Sequence, residues 1–270
     1  AVDTLPLLSP AERAQVLHDF NATERHYPHD QLIHQLFEQQ VATQPDAMAV
    51  SSDEQSLSYA ELNARAAIVA RHGPVTGLVN NAGGQFPMPL AMISKKGWEA
   101  VVANNLTGGF LVAREVYTQC MKKQGGAIVN MIADMWGGMP GMGHSGAARA
   151  GMLNFTETAA IEWGVSGVRV NAVAPGYVAS SGMDHYDPTF AKEVIPRLAG
   201  LAPLKRMAEE AEVSSAIVWL LSEGAAFVTG TCIKIDGGSS LGAKAFPLLD
   251  HQNSKPYQGF HRAVRPKAVR

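Results

Sequence analysis

Val75, Leu78 and Val79 form a short apolar run between Gly73-Pro74 and Asn80-Asn81-Ala82-Gly83-Gly84. That punctuation predicts a strand buried on both faces, as parallel sheets require. The same logic returns in Gly126 to Ile132, in Val168 to Gly176 and in Cys232 to Gly238. Between these runs the apolar period changes to that of a helix. Trp98 to Lys123 carries Val101, Val102, Leu106, Phe110 and Val116; Ser145 to about Gly164 carries Met152, Phe155 and Ile161. Glu212 to Ser222 turns Val213, Ile217 and Leu220-Leu221 inward. Strands alternating with helices predict an α/β fold. Asn80 and Asn81 then fall at a strand's carboxyl end, where an open sheet has its ligand crevice; a strand followed by a tight turn reads equally well.

The front of the chain is patterned differently. Ser9-Pro10-Ala11-Glu12 has the form of a capping box with proline at the first helical position, so a short helix is expected through about His18. Phe20 to Pro28 reads as a loop. Asp30 is placed to cap a second helix, with Ile33, Phe37 and Val41 on one face. Ala47–Val50 and Leu57–Tyr59 are short strand candidates around Ser52-Asp53-Glu54-Gln55. A third helix is expected from Ala60 to about His72, closed by Gly73-Pro74.

Of 270 residues, 46% are hydrophobic and 17% charged, which suffices for a packed core. The net charge of −2 gives no electrostatic grip on nucleic acid or anionic lipid. No apolar run is long enough for a membrane span, and the first residues lack the features of a signal peptide. Cys120 and Cys232 stand in no metal spacing, and together these features predict a cytoplasmic protein without a metal. A start at Ala1 without methionine reads as a fragment or a processed product.

Leu5-Pro6-Leu7-Leu8-Ser9, Phe20-Asn21-Ala22-Thr23, Leu32 to Gln40 and Leu57 to Asn63 resemble the condensation-to-adenylation linker of nonribosomal peptide synthetases. That resemblance covers residues 1–66 and implies a catalytically silent appendage. From about residue 67 to 240 the chain resembles the rear part of a short-chain dehydrogenase/reductase. Asn80-Asn81-Ala82-Gly83, Asn105-Leu106-Thr107-Gly108 and Val173-Ala174-Pro175-Gly176 carry the match. It implies a Rossmann-like parallel sheet with flanking helices, lacking its usual first three strands, behind a mainly helical N-terminal segment. It also implies an NADP (or NAD) cofactor touched by Asn80, Asn81, Ala82, Gly83, Pro175, Gly176 and the backbone of Val178, and a homodimer or homotetramer. Residues 180–207 read as a substrate lid.

The family's serine, tyrosine and lysine positions fall on Ala133, His144 and Ala148. Gly83 to Phe86, Ser94 to Trp98 and His144 to Gly151 resemble the peroxisomal-type trans-2-enoyl-CoA reductase branch, which departs from the usual triad here. The implied reaction sends hydride to a β-carbon and a proton to the α-carbon of an acyl thioester. Catalytic roles then fall to His144 and Ser145 as donors to the thioester oxygen and to Asn105 as the holder of a water, with histidine titratable near neutrality as a proton source. A histidine capping the next helix is an equal reading of His144, and an asparagine within a helix ordinarily marks a kink or a local hydrogen bond. Arg149 stands beside the lysine position but about 100° around the helix, which argues against a role. Gly141 to Gly146 spells G-x-G-x-x-G, yet Asp134 to Pro140 separate it from its strand. The family's phosphate-binding turn has no counterpart before Val75. The alternative to an active reductase is therefore an impaired hybrid serving as an interaction or oligomerisation module.

Overall fold

The computed structural model describes residues 9, 33–51, 56–71, 73–180, 183, 194–241, 248–257 and 259. The expected first helix, the loop at 20–28, the Asp30 cap, the turn at 52–55 and residues 181–182 and 184–193 of the expected lid lie outside them. The chain divides into two compact units, Ala1–Gly73 and Pro74–Arg270.

In the first unit, α1 (Ile33–Thr43) precedes an antiparallel pair, β1 (Met48–Ser51) and β2 (Ser56–Ser58), and then α2 (Tyr59–Arg71). Tyr59 is helical rather than part of the strand expected for it. Ser58 and Glu61 are the cause: Glu61 N–H donates to Ser58 Oγ at 3.2 Å while Ser58 N–H donates to Glu61 Oε2 at 2.8 Å. This reciprocal capping box fixes the helix start one residue after Ser58. Residue 66, where the two resemblances meet, lies inside α2.

The second unit holds the parallel sheet. Its strands are β3 (Gly77–Asn80), β4 (Gly126–Met131), β5 (Val168–Pro175) and β8 (Cys232–Ile235), side by side in that order and all parallel. Among the described residues β3 pairs on one side only, with β4, so it is an edge strand. Between β3 and β4 runs a helical stretch, α3 (Lys95–Val102) and α4 (Gly108–Val116) with α5 (Lys122–Gln124), interrupted by π-helical turns at Ala103–Thr107 and Tyr117–Met121. It begins three residues before the expected Trp98, because Ser94 Oγ accepts the Gly97 N–H at 3.1 Å and caps it there. α6 (Gly143–Trp163) precedes β5, and a two-residue strand β6 (Val178–Ala179) follows it. Then come α7 (Ile195–Leu201), within the expected lid, β7 (Ala208–Glu209), paired with β6, and α8 (Glu210–Leu221).

Side-chain alternation along β4 and β5 builds the layers. Ile128, Val168 and Val170 pack with Ala159, Ala160 and Trp163 of α6, while Val129 and Val173 pack with Leu220 of α8. Helices therefore cover both faces of the sheet at β4 and β5, whereas β3, expected to be buried on both faces, lies at the edge and leaves Val79 36% exposed. Alternation also sends Asn130 toward α6. There it forms a buried polar chain, Asn80 Nδ2 to Asn130 Oδ1 at 2.8 Å and Asn130 Nδ2 to Thr156 Oγ1 at 2.9 Å, closed by Thr156 Oγ1 to the Met152 carbonyl at 2.8 Å. The Asn130 amide and the Thr156 hydroxyl, both fully buried, thus have partners, which is what makes their burial tolerable.

Candidate active site

The loop from Asn81 to Pro89 leaves the carboxyl end of β3 and carries no regular structure. Three helical positions hold it. Asn105, in the first π-turn, is 3% exposed and brackets Gly84: its Nδ2 donates to the Gly84 carbonyl at 2.6 Å and its Oδ1 accepts the Gly84 N–H at 3.2 Å. Asn105 Nδ2 also donates to the Val101 carbonyl four residues back, at 2.9 Å. A side chain competing for a backbone carbonyl accompanies the widened turn. Both amide hydrogens are thereby used within the protein. The Asn105 side chain thus clamps the loop at Gly84.

Ser145 and His144 open α6. Ser145 Oγ lies 3.3 Å from Gln85 Oε1, so its hydroxyl is directed at the loop. His144 is fully buried, and its Nδ1 accepts the Ser145 N–H at 2.9 Å. His144 does not cap the helix, whose N-cap is Met142 without a side-chain bond; its Nδ1 serves its own neighbour, which assigns the proton of the neutral ring to Nε2. Nε2 itself is buried with no hydrogen-bond partner. Nε2 is thereby available to a ligand as a hydrogen-bond donor.

Arg149 is the residue the sequence reading set aside. It is 8% exposed, its Nη1 donates to the Met131 carbonyl at 2.6 Å, and its Nε has no partner. Among the described residues no carboxylate lies within ion-pair distance of it. Burial pushes its pKa below the ordinary arginine value. The guanidinium borders a cavity of about 220 Å³ lined also by Asn80, Asn81, Ala82, Asn105 and Met152. A methyl group at Gly83 would stand 2.5 Å from Asn105 Oδ1 and 2.9 Å from Arg149 Nη2, so only glycine admits both groups.

Arg149 reaches the cavity despite its angular offset from the lysine position. Helical side chains tilt toward the helix N-terminus, and arginine is long enough for its head to reach the turn above its own Cα. Ala148, at the lysine position, is simply buried at 1% exposure.

The other expected cofactor contacts are distributed unevenly. Asn81, Ala82 and Gly83 are exposed on the loop, whereas Asn80 turns its amide nitrogen inward to Asn130 and the Gly109 carbonyl. The Pro175 carbonyl accepts the Asp134 N–H, the Gly176 N–H donates to the Ile235 carbonyl, and the Val178 carbonyl accepts the Ser180 N–H. That turn is therefore braced internally at the crevice end of β5. Gly141 to Gly146 straddles the start of α6 but lies well beyond the end of β4.

A family described as enoyl-(acyl carrier protein) reductase matches residues 28–240. A Bacillus subtilis protein described as a probable 2,4-dienoyl-CoA reductase is 36% identical over 182 residues, 66% of this chain and 71% of its own. A Staphylococcus epidermidis 3-oxoacyl-(acyl-carrier-protein) reductase is 32% identical over 172 residues, 63% of this chain and 69% of its own. Among solved structures, the citronellol catabolism dehydrogenase of Pseudomonas aeruginosa is 58% identical, covering 66% of this chain and 67% of that one with a TM-score of 0.55. A short chain dehydrogenase of Bacillus anthracis is 32% identical, covering 69% and 72% with a TM-score of 0.58. The family match starts inside the segment that resembles a synthetase linker, and these comparisons lend that resemblance no support. Among the described residues no helix is long and apolar enough to cross a membrane. Sheet order, crevice loop and family match agree: the chain belongs to the short-chain dehydrogenase/reductase family of NAD(P)-dependent oxidoreductases.

Proposed function

We propose that the chain reduces the conjugated double bond of a trans-2-enoyl thioester with NADPH. The observation that carries the reading is two buried groups on α6 without a partner, the His144 Nε2 and the Arg149 Nε, the latter residue lining the crevice cavity. Both can meet an oxygen, and neither is the tyrosine that protonates an alkoxide. The similarity to dienoyl-CoA and 3-oxoacyl reductases supports a thioester substrate.

The nicotinamide end of the cofactor fits the residues present: Asn81, Ala82 and Arg149 border the cavity, and the partnerless Arg149 Nε suits a ribose hydroxyl. No glycine-rich turn precedes β3 among the described residues, so nothing here is assigned to the pyrophosphate. When bound, the nicotinamide supplies hydride to the substrate's β-carbon. His144 donates from Nε2 to the thioester oxygen, on which negative charge grows as the enolate forms. Arg149 adds a positive charge that no carboxylate offsets, in surroundings where water is scarce. Asn105 and Gln85 hold the loop that walls the site. Solvent supplies the α-carbon proton.

The test follows NADPH oxidation by the purified chain with crotonyl-CoA and with acetoacetyl-CoA. Turnover of the enoyl thioester above the 3-oxo thioester is expected, and the reverse order overturns the reading. The one-sided pairing of β3 favours a second reading, an interaction module assembling with a second copy. It would take over if nucleotide fluorescence titration detected no NADPH binding.

A further inference from the structure

We infer that Phe86 is the specificity-determining gate of this site: its ring covers His144, and a flat acyl group gains the Nε2 donor by displacing it. The inference rests on the reading of His144 as the donor to the thioester oxygen. His144 is fully buried, although it lies in the first turn of α6. The Phe86 ring meets it edge to face, with centroids 4.6 Å apart and planes at 88°. Phe86 itself is 37% exposed, so its ring touches the buried imidazole and also reaches solvent.

On its other side the ring lies against α3. A methyl group at Gly97 would come within 2.9 Å of Phe86 Cζ, so the missing side chain at Gly97 makes the slot. The backbone around Phe86 is clipped at both ends, by Asn105 at Gly84 and by the Met88 N–H donating to the Gly141 carbonyl at 2.7 Å. Between such clips a ring can turn about its side-chain torsions while the loop stays where it is. The slot that the ring vacates is thin and bounded by rings and small residues. It suits a planar, unbranched conjugated acyl group and excludes one branched beside the thioester carbon.

The test is the rate at which diethylpyrocarbonate modifies His144, read by peptide mass spectrometry on the full chain without nucleotide. Slow modification is expected for the native chain, and a rise of about tenfold for Phe86→Ala, the range over which such an aromatic contact holds a closed population. Gly97→Ala should raise the rate as well, since it favours the helix but pushes on the ring tip. Phe86→Tyr should restore protection. Equal rates in all four proteins overturn the inference. If circular dichroism shows Phe86→Ala unfolded, Gly97→Ala decides. In turnover, the preference for crotonyl over 2-methylcrotonyl thioester should shrink in Phe86→Ala through KM more than kcat, and an unchanged preference counts against the gate. A native chain that oxidises no NADPH with either thioester would sink the enoyl reading, while the modification rates would still decide what Phe86 covers.

Discussion

Replacing Arg149 by methionine separates function from stability. The arginine head is buried, bonded once through Nη1 to the Met131 carbonyl at 2.6 Å, and faces no carboxylate among the described residues. A charge-assisted hydrogen bond contributes about 1.5–3 kcal/mol. Burying a guanidinium without a counter-charge costs several kcal/mol even after relaxation. The two nearly cancel, and methionine fills a similar length without the desolvation cost. The urea midpoint of Arg149→Met should therefore be unchanged or higher, within about 1–2 kcal/mol of the native chain. Turnover should fall by about a hundredfold or more, the loss typical when one preorganised electrostatic donor is removed.

The pH dependence has a definite sign. Burial holds the folded-state pKa below the unfolded one, so the penalty on the charged form is present at every pH below both values. It is relieved only as pH rises through them, far into alkali. The stability difference between native and Arg149→Met chains should thus stay flat across neutral pH. A loss of more than about 2 kcal/mol with turnover intact would identify Arg149 as a strut and refute the argument.

Asn130→Ala should lower stability by about 1–2 kcal/mol in urea denaturation, since Asn80 Nδ2 and Thr156 Oγ1 each lose one of two partners and keep only the Gly109 and Met152 carbonyls; a loss below about 0.5 kcal/mol would mean the buried chain is dispensable. Gly83→Ala drives a methyl group against Asn105 Oδ1 and Arg149 Nη2, so NADPH affinity by fluorescence titration should drop while far-ultraviolet dichroism is retained. Burial raises the Glu212 pKa, but Arg206, paired at 2.6 Å, and the N–H groups of Glu209 and Tyr257 outweigh it and hold the carboxyl below the ordinary glutamate range. That stability is present above the unfolded-state pKa and is lost as pH falls through the folded one. Glu212→Gln should therefore be less stable at neutral pH, and the gap should close in acid.

Strand and helix positions in the second unit were legible because burial writes them into the sequence. A strand covered on both faces must be apolar at successive positions, and Ile128, Val129, Val170 and Val173 are. Helix starts were less legible, because each depends on one side chain reaching one N–H. Ser94 and Ser58 moved their helices by a few residues on that account.

The site was legible in membership but not in role. Asn80, Asn105, His144 and Ser145 were all singled out, yet the partner of each polar atom is a fact of three dimensions. Asn105 spends its amide on Gly84 and Val101, Asn80 turns to Asn130, and His144 commits Nδ1 to its own helix. Once those commitments are counted, the unspent donors are the His144 Nε2 and the Arg149 guanidinium. A folded chain offers a ligand only the polar atoms its own backbone and side chains have not taken. By that criterion His144 and Arg149 are the groups on which the proposed reduction rests, while Asn105 holds the loop at Gly84 and Asn80 the edge strand at Asn130.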